Sequence, residues 1–396
     1  MVVLVALRVV YAYNWFDIGP GLPLIASTYH GVPASQWGFL LAAFFAGAAL
    51  LQVPAGLLAR RHGTRTISLV GAGLLGGSAL LSALAPNFPV LLVLRFASGA
   101  GAGLFFSPAI ALVATLYPPG ERGIPVGAFS SAFAAGAGLG TFVPALVDPT
   151  IGWQASLAIG GGAMLVLFAL GGLVIPRSAG SPAAPKPEDR RSPSPRKGLL
   201  ALPALRSRGV WAIGFAFVGL EGASLSTSQF FVPYAEGPAL GWAPVLAGAV
   251  GALFVTPSVL GGPLGGRLVE KFTNRRTQLF VFTALPALLL LLVPRSPVVG
   301  IATIATFFAF TFGMVYAMMY VIPPYLPGIS QEDTPLAIGL LNAVQLAGGA
   351  TVAAVVGWVV ATYGFAQLWT SMVLFILVPL AFLLLVPVTG RSLSRP

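Results

Sequence analysis

Twelve long apolar runs follow one another through this chain, at about 2–28, 36–59, 66–85, 88–116, 124–147, 153–176, 209–233, 242–268, 277–294, 297–322, 335–361 and 366–388. Hydrocarbon roughly 30 Å thick is spanned by about 20 apolar residues in a helix, whereas a barrel strand needs only about 9–11 of alternating polarity. The runs are too long for strands. The sequence therefore predicts an all-α integral membrane protein with twelve transmembrane helices. Of the 396 residues, 57% are hydrophobic and 8% charged, which leaves little chain for a soluble domain.

Met1 opens directly into the first run, with no basic leader, so that run reads as a retained helix rather than a cleaved signal. Cysteine is absent, which excludes disulfides, thiolate metal sites and cysteine nucleophiles. The formal net charge of +11 would suit a nucleic-acid partner, but its placement follows topology instead. With a cytoplasmic N-terminus, every one of the 21 Lys and Arg except Arg8, Arg95 and Arg295 falls in a cytoplasmic segment, while Asp148 and Glu236 fall in outer loops. That is the positive-inside pattern. It predicts a multi-pass protein of the cytoplasmic (inner) membrane with both termini inside, whose surroundings are lipid and not nucleic acid.

The stretch SAGSPAAPKPEDRRSPSPRKG is the one long polar segment, with a composition that buries too little apolar area to fold. It divides six spans from six. The expected organisation is a bundle over 1–176, a cytoplasmic linker over 177–208, a second bundle over 209–390 and a tail over 391–396. Landmarks recur in both halves. GLLARRHGTR and GRLVEKFTNRR each close a second span, TIGWQ and TYGFA each precede a sixth, and Gly127 and Gly136 answer to Gly339 and Gly348. A duplicated six-helix unit is a common architecture of carriers that hold solute at the repeat interface near the bilayer midplane.

At these residues the chain resembles the major facilitator superfamily. Gly56, Arg61, Gly63 and Arg65 fit its loop pattern G-x-x-x-[DE]-[RK]-x-G-[RK]-[RK], and Gly266, Glu270, Lys271, Arg275 and Arg276 fit it again with one extra residue. LRFASGAGAG resembles the R-x-x-x-G-x-G motif of the fourth span through Arg95, Gly99 and Gly101, and FFAGAALLQVPAGLLA and YPPGERG also read like members. The resemblance implies a monomeric secondary transporter of two rocking bundles, with a small-molecule substrate and no cofactor. Two departures stand out. Arg60 occupies the loop's acidic position, which suggests a reversed pairing of Arg60 with Glu332 or Asp333, mirrored by Glu270 with Arg122. With Arg61, Arg65, Lys271 and Arg275 these form the expected conformational gate. In the fifth span GTFVPA stands where drug–proton antiporters carry G-P-x-x-G-G, which counts against multidrug efflux.

Charged side chains at bilayer depth cost at least about 2.5–3.5 kcal/mol and are usually functional. Four fall there: Arg8 and Asp17 in the first run, Arg95 in the fourth and Glu221 in the seventh. Asp17 and Arg95 sit about eleven and seven residues inside the outer ends of their runs, a difference of about 6 Å that an arginine stem bridges. A carboxylate that gains and loses an arginine partner changes its proton affinity as the bundles move, so Asp17 and Glu221 are the expected proton-coupling groups. GASLSTSQFF follows Glu221, so span seven should break or line the cavity there. Arg8 lies shallow, where snorkelling to the headgroups accounts for it, and the nine positions separating it from Asp17 put the two on opposite helix faces.

The expected solute site adds Tyr13, Asn14 and Trp15 from the first span, Gln52 from the second, Phe105 and Phe106 from the fourth and Gln229 from the seventh. Tyr316 and Tyr320 of the tenth span and Asn342 and Gln345 of the eleventh complete it, with Arg95 as an anion anchor. The function expected from these residues is alternating-access transport of a small organic solute, an organic anion or neutral metabolite, coupled to protons. The alternative is proton-driven export of lipophilic or cationic compounds. No G-x-x-x-x-G-K-[ST] loop is present for ATP drive, and no filter motif for a channel. His30 and His62 fall on opposite sides of the membrane, so no His, Asp or Cys cluster supports an intramembrane enzyme or a metal.

Overall fold

The computed structural model of the protein describes residues 1–29, 32–117, 123–180, 203–271, 274–323, 326–329 and 334–386. The membrane helices are α1 Val2–Phe16, α2 Trp37–His62, α3 Thr64–Ser82, α4 Phe88–Thr115, α5 Gly123–Ile151 and α6 Trp153–Val174. In the second half they are α7 Arg208–Glu236, α8 in two pieces (Pro244–Leu253 and Ser258–Lys271), α9 Arg275–Leu289, α10 Val298–Val321, α11 Thr334–Tyr363 and α12 Ala366–Leu380. Ten are long and apolar enough to cross a membrane, and α1 with the first part of α2 are the shorter apolar helices that complete twelve. The expectation of an all-α membrane protein with twelve transmembrane helices thus holds.

Local chemistry sets the helix ends. Asn87 caps α4 by accepting from the Val90 N–H, and Ser207 and Asn274 do the same for α7 and α9, satisfying donors that the first helical turn leaves open. The one-residue links between α2 and α3 and between α5 and α6 turn at Gly63 (φ 89°) and Gly152 (φ 93°), backbone that residues with a Cβ rarely adopt.

Three expectations about the spans need correction. The first run is not one helix: α1 stops at Phe16, turns follow, and a separate helix runs Leu22–Thr28, because Pro20 and Pro23 remove donors and Gly19 and Gly21 flank Pro20. The eighth run breaks at residues 254–257, ahead of the second piece, where Pro257 interrupts the bonding ladder. Span seven, in contrast, does not break at its polar run. Ser226, Thr227 and Ser228 each donate to the carbonyl four residues back, at 2.7, 2.7 and 2.9 Å, so the hydroxyls are satisfied inside an intact helix.

Helices α1–α6 pack among themselves, chiefly α2 and α3 on α4, α5 on α1 and α6 on α3, and α7–α12 do so through α7 on α11 and α12 and α8 on α10. Without a hydrophobic drive in lipid, small residues let helices approach. A Cβ on Gly47 would fall 2.7 Å from the Ala100 nitrogen across α2–α4, and one on Gly265 would fall 2.6 Å from Met314 Cα across α8–α10. The two sets meet mainly through α2 with α11 and α5 with α8. Those meetings lie at the end remote from the N-terminus. There a Cβ on Gly19 would come 2.6 Å from the Ser228 carbonyl, and one on Gly38 would come 2.7 Å from the Ala353 carbonyl. Leu225, Leu346, Ala350 and Ala353 of the second set share one buried core with residues of α1, α2, α4 and α5.

Candidate functional site

The break after α1 creates the site. Asp17 is the C-cap residue of α1, so its carboxylate stands where the helix ends and not along its side. Two turns into α4, Arg95 reaches it: Nη1 donates to Asp17 Oδ1 at 3.0 Å, and Nη2 donates to the Asn14 carbonyl at 3.2 Å. Both side chains are fully shielded, at 0% exposure. The guanidinium carbon also lies 4.8 Å from the Phe44 ring centroid on α2. A dry, charge-assisted pair of this kind is held by attraction and costly to separate one partner at a time.

A second polar chain runs from this pair toward the remote end. The Tyr13 hydroxyl donates to the Ser156 carbonyl at 3.2 Å, and the Ser156 hydroxyl donates to Asp148 Oδ1 in a short contact. Tyr13 lies within electrostatic reach of both Asp17 and Asp148. Asp148 therefore does not lie in an outer loop: α5 continues past it to Ile151 and buries it at 2% exposure, because Ser156 on α6 supplies the donor its carboxylate needs. Glu236, also placed in a loop by its sequence, is the last residue of α7. No periodicity signals Asp148 or Ser156; their partnership crosses the Gly152 link and appears only once α5 and α6 are folded together.

Glu221 sits on α7 one turn before Leu225, and both side chains lie against Gly349 of α11. A Cβ on Gly349 of α11 would meet Glu221 Cγ at 2.9 Å, and Glu221 Oε2 is buried with no hydrogen-bond partner. Gln229, two turns on, donates from Nε2 to the Trp37 carbonyl of α2 at 2.7 Å and so ties the two sets at their closed end. Asn14 donates to the Val10 carbonyl at 2.8 Å and serves Arg95 through its own carbonyl.

The remaining expected residues disperse. Phe105 is fully buried, its ring tilted against that of Tyr11 with the centroids 5.2 Å apart. Tyr316 is 37% exposed on α10 and stacks on Phe312 at 5.7 Å. Asn342 is half-buried and Gln345 buried on α11, while the Tyr320 side chain lies outside the described residues. Of the expected gate, Arg122, Glu332 and Asp333 and the side chains of Arg60, Glu270 and Lys271 also lie outside them. Arg61 is exposed and Arg275 half-buried. Arg65 stays within its own half: Nε and Nη2 donate to the carbonyls of Ile175 and Gly172 at 2.9 and 2.7 Å, capping the end of α6.

Arg8 does not snorkel. It is 7% exposed, with its guanidinium carbon 4.4–4.7 Å from the ring centroids of Tyr11, Phe106 and Phe133 and 5.6 Å from that of Phe129. The shallow depth that suggested the headgroups is overridden by α4 and α5, which fold three phenylalanines around it.

Comparison with known proteins accords with this architecture. The sequence profile described as Major Facilitator Superfamily matches residues 4–330. The chain is 34% identical over 150 residues to the 4-hydroxybenzoate transporter PcaK of Pseudomonas putida, covering 38% of this chain and 33% of that one. It is 29% identical over 260 residues to the probable nitrate/nitrite antiporter NarK1 of Thermus thermophilus, covering 64% and 57%. These matches span well under two thirds of the relatives' lengths. The fold resembles that of a D-xylose–proton symporter over 99% of this chain and 98% of that one, with a TM-score of 0.77 at 17% identity.

Proposed function

The chain belongs to the Major Facilitator Superfamily and is a multi-pass membrane protein, and from that premise we propose that it is a transporter and not an enzyme, moving a small organic solute by alternating access, coupled to protons. The observation that carries the reading is the Arg95–Asp17 pair at 3.0 Å, shielded beneath the break in the first span. Protonating Asp17 removes the charge that holds Arg95 and frees the guanidinium. That couples proton binding to the packing of α1 on α4. Glu221 is the second proton group, its Oε2 buried without a partner on α7 against α11.

The closure of the remote end through Gly19, Gly38 and Gln229 supports reading this form as open toward the side of the termini. If the termini are cytoplasmic, as the positive-inside pattern requires, the form is inward-facing. Relatives named for 4-hydroxybenzoate and for nitrate and nitrite favour an anionic solute over a lipophilic cation.

Purified protein in liposomes tests this. An imposed pH gradient should drive accumulation of an organic acid by the native chain, and Asp17→Asn should retain exchange across the membrane while losing accumulation. Accumulation by Asp17→Asn equal to the native chain refutes the assignment. Gradient-driven movement of lipophilic cations alone would favour the exporter reading.

A further inference from the structure

Two arginines lie buried in the first half of this protein, and only one has found a carboxylate. Arg95 is ion-paired with Asp17. Among the described residues Arg8 has no such partner, although it is more than nine-tenths buried, and its Nε and Nη1 have no hydrogen-bond partner. Its surroundings are ring faces from three helices: Tyr11 on α1, Phe106 on α4, and Phe129 and Phe133 on α5. Tyr11 adds its hydroxyl, and Tyr316 of α10, from the opposite half, lies close enough to bear on the charge. Arg8 thus stands within electrostatic reach of the second half.

Ring faces stabilise the cation but leave its Nε and Nη1 donors unused, and buried donors left unmade are costly. A guanidinium edge of this kind matches the two oxygens of a carboxylate. Phenylalanine walls match an apolar body, not a sugar's hydroxyls. We propose that Arg8 is the solute-anchoring residue: the carboxylate of an aromatic or similarly apolar organic acid docks on Nε and Nη1, with its body between Phe106, Phe133 and Tyr316. This rests on the reading of the protein as a solute transporter and names the solute class. It also divides labour between the arginines. Arg95 and Asp17 respond to protons, and Arg8 to the solute's charge. Because Tyr316 belongs to the other half, a bound solute touches both halves, as a ligand that biases their rocking must.

Benzoate, benzamide and nitrate, added to the purified full chain in detergent and followed by thermal shift and by quenching of tryptophan fluorescence, separate the possibilities. The native chain should bind benzoate, with benzamide and nitrate much weaker, since one lacks the charge and the other the apolar body. Arg8→Gln should weaken benzoate about ten- to a hundredfold, the loss of hydrogen bonds to a charged group. Arg8→Lys should recover part of it. Tyr316→Ala, which leaves α1 and its box untouched, should also weaken benzoate and so keeps the test alive if Arg8→Gln misfolds. Benzoate binding unchanged in Arg8→Gln and in Tyr316→Ala overturns the anchor. Native protein that ignores benzoate while xylose or a lipophilic cation stabilises it overturns the anionic class. Either result leaves the proton-coupling test of Asp17→Asn standing, since that is read from gradient-driven accumulation and not from binding.

Discussion

Removing one member of the Arg95–Asp17 pair should hurt the protein more than removing both. In the native chain Arg95 Nη1 bonds Asp17 Oδ1 at 3.0 Å with neither side chain exposed. Asp17→Asn leaves a buried guanidinium with a neutral amide and the Asn14 carbonyl as its acceptors, and Arg95→Gln leaves a buried carboxylate with no cation. Breaking a buried pair on one side costs about 3–5 kcal/mol, mostly through the charge left behind. At about 2–4 °C per kcal/mol for a folding unit of 150–250 residues, each single variant should melt about 6–20 °C below the native chain. The double variant Asp17→Asn/Arg95→Gln leaves no uncompensated charge and should melt no lower than the worse single variant. Thermal unfolding of the four proteins in one detergent at one pH completes the cycle. If the two losses simply add in the double variant, the pair carries no coupling energy, and the argument from its shielding is wrong.

The other expectations concern the helix contacts. Gly38→Ala places a methyl group against the Ala353 carbonyl, backbone on both sides, so the remote end should open; overpacking of about 1–3 kcal/mol corresponds to a shift of about 5- to 150-fold in the conformational ratio. Because the chain has no native cysteine, single introduced cysteines at that end report opening as faster thiol labelling. Gly99→Ala, whose methyl would land on the Phe44 carbonyl, should lower the melting temperature, whereas Gly77→Ala, with nothing within 4 Å, should hold or slightly raise it through helix propensity. Gln229→Leu removes the bond to the Trp37 carbonyl and should raise labelling at the remote end as Gly38→Ala does, with unchanged labelling counting against a tie between the halves.

Hydropathy makes the twelve membrane helices legible because the number of apolar residues needed is set by the membrane, not by the neighbours. The breaks at 17–21 and 254–257 escape the same averaging: proline and glycine are apolar enough to keep a run unbroken while ending its bonding ladder. Depth along two runs is enough to bring Asp17 and Arg95 together, since each depth is counted from a membrane surface. Which way a side chain points around the helix is not. Arg8 reads from position alone as a headgroup anchor, yet its box comes from Phe106, Phe129 and Phe133, about a hundred residues away. Ser226, Thr227 and Ser228 read as a break or a cavity lining because polar residues at that depth demand partners, and the sequence does not reveal that each finds one on its own helix.

The closed end of the protein is sealed by backbone against backbone at Gly19 and Gly38. Such a seal has no side-chain rotamers to freeze, so each closure restores the same register at little entropic cost. It also separates two kinds of evolutionary freedom. Residues around Arg8 can drift to suit new cargo, while the seal tolerates almost no added atom, so homologues of different specificity should vary in the box and keep the hydrogen side chains at the rim.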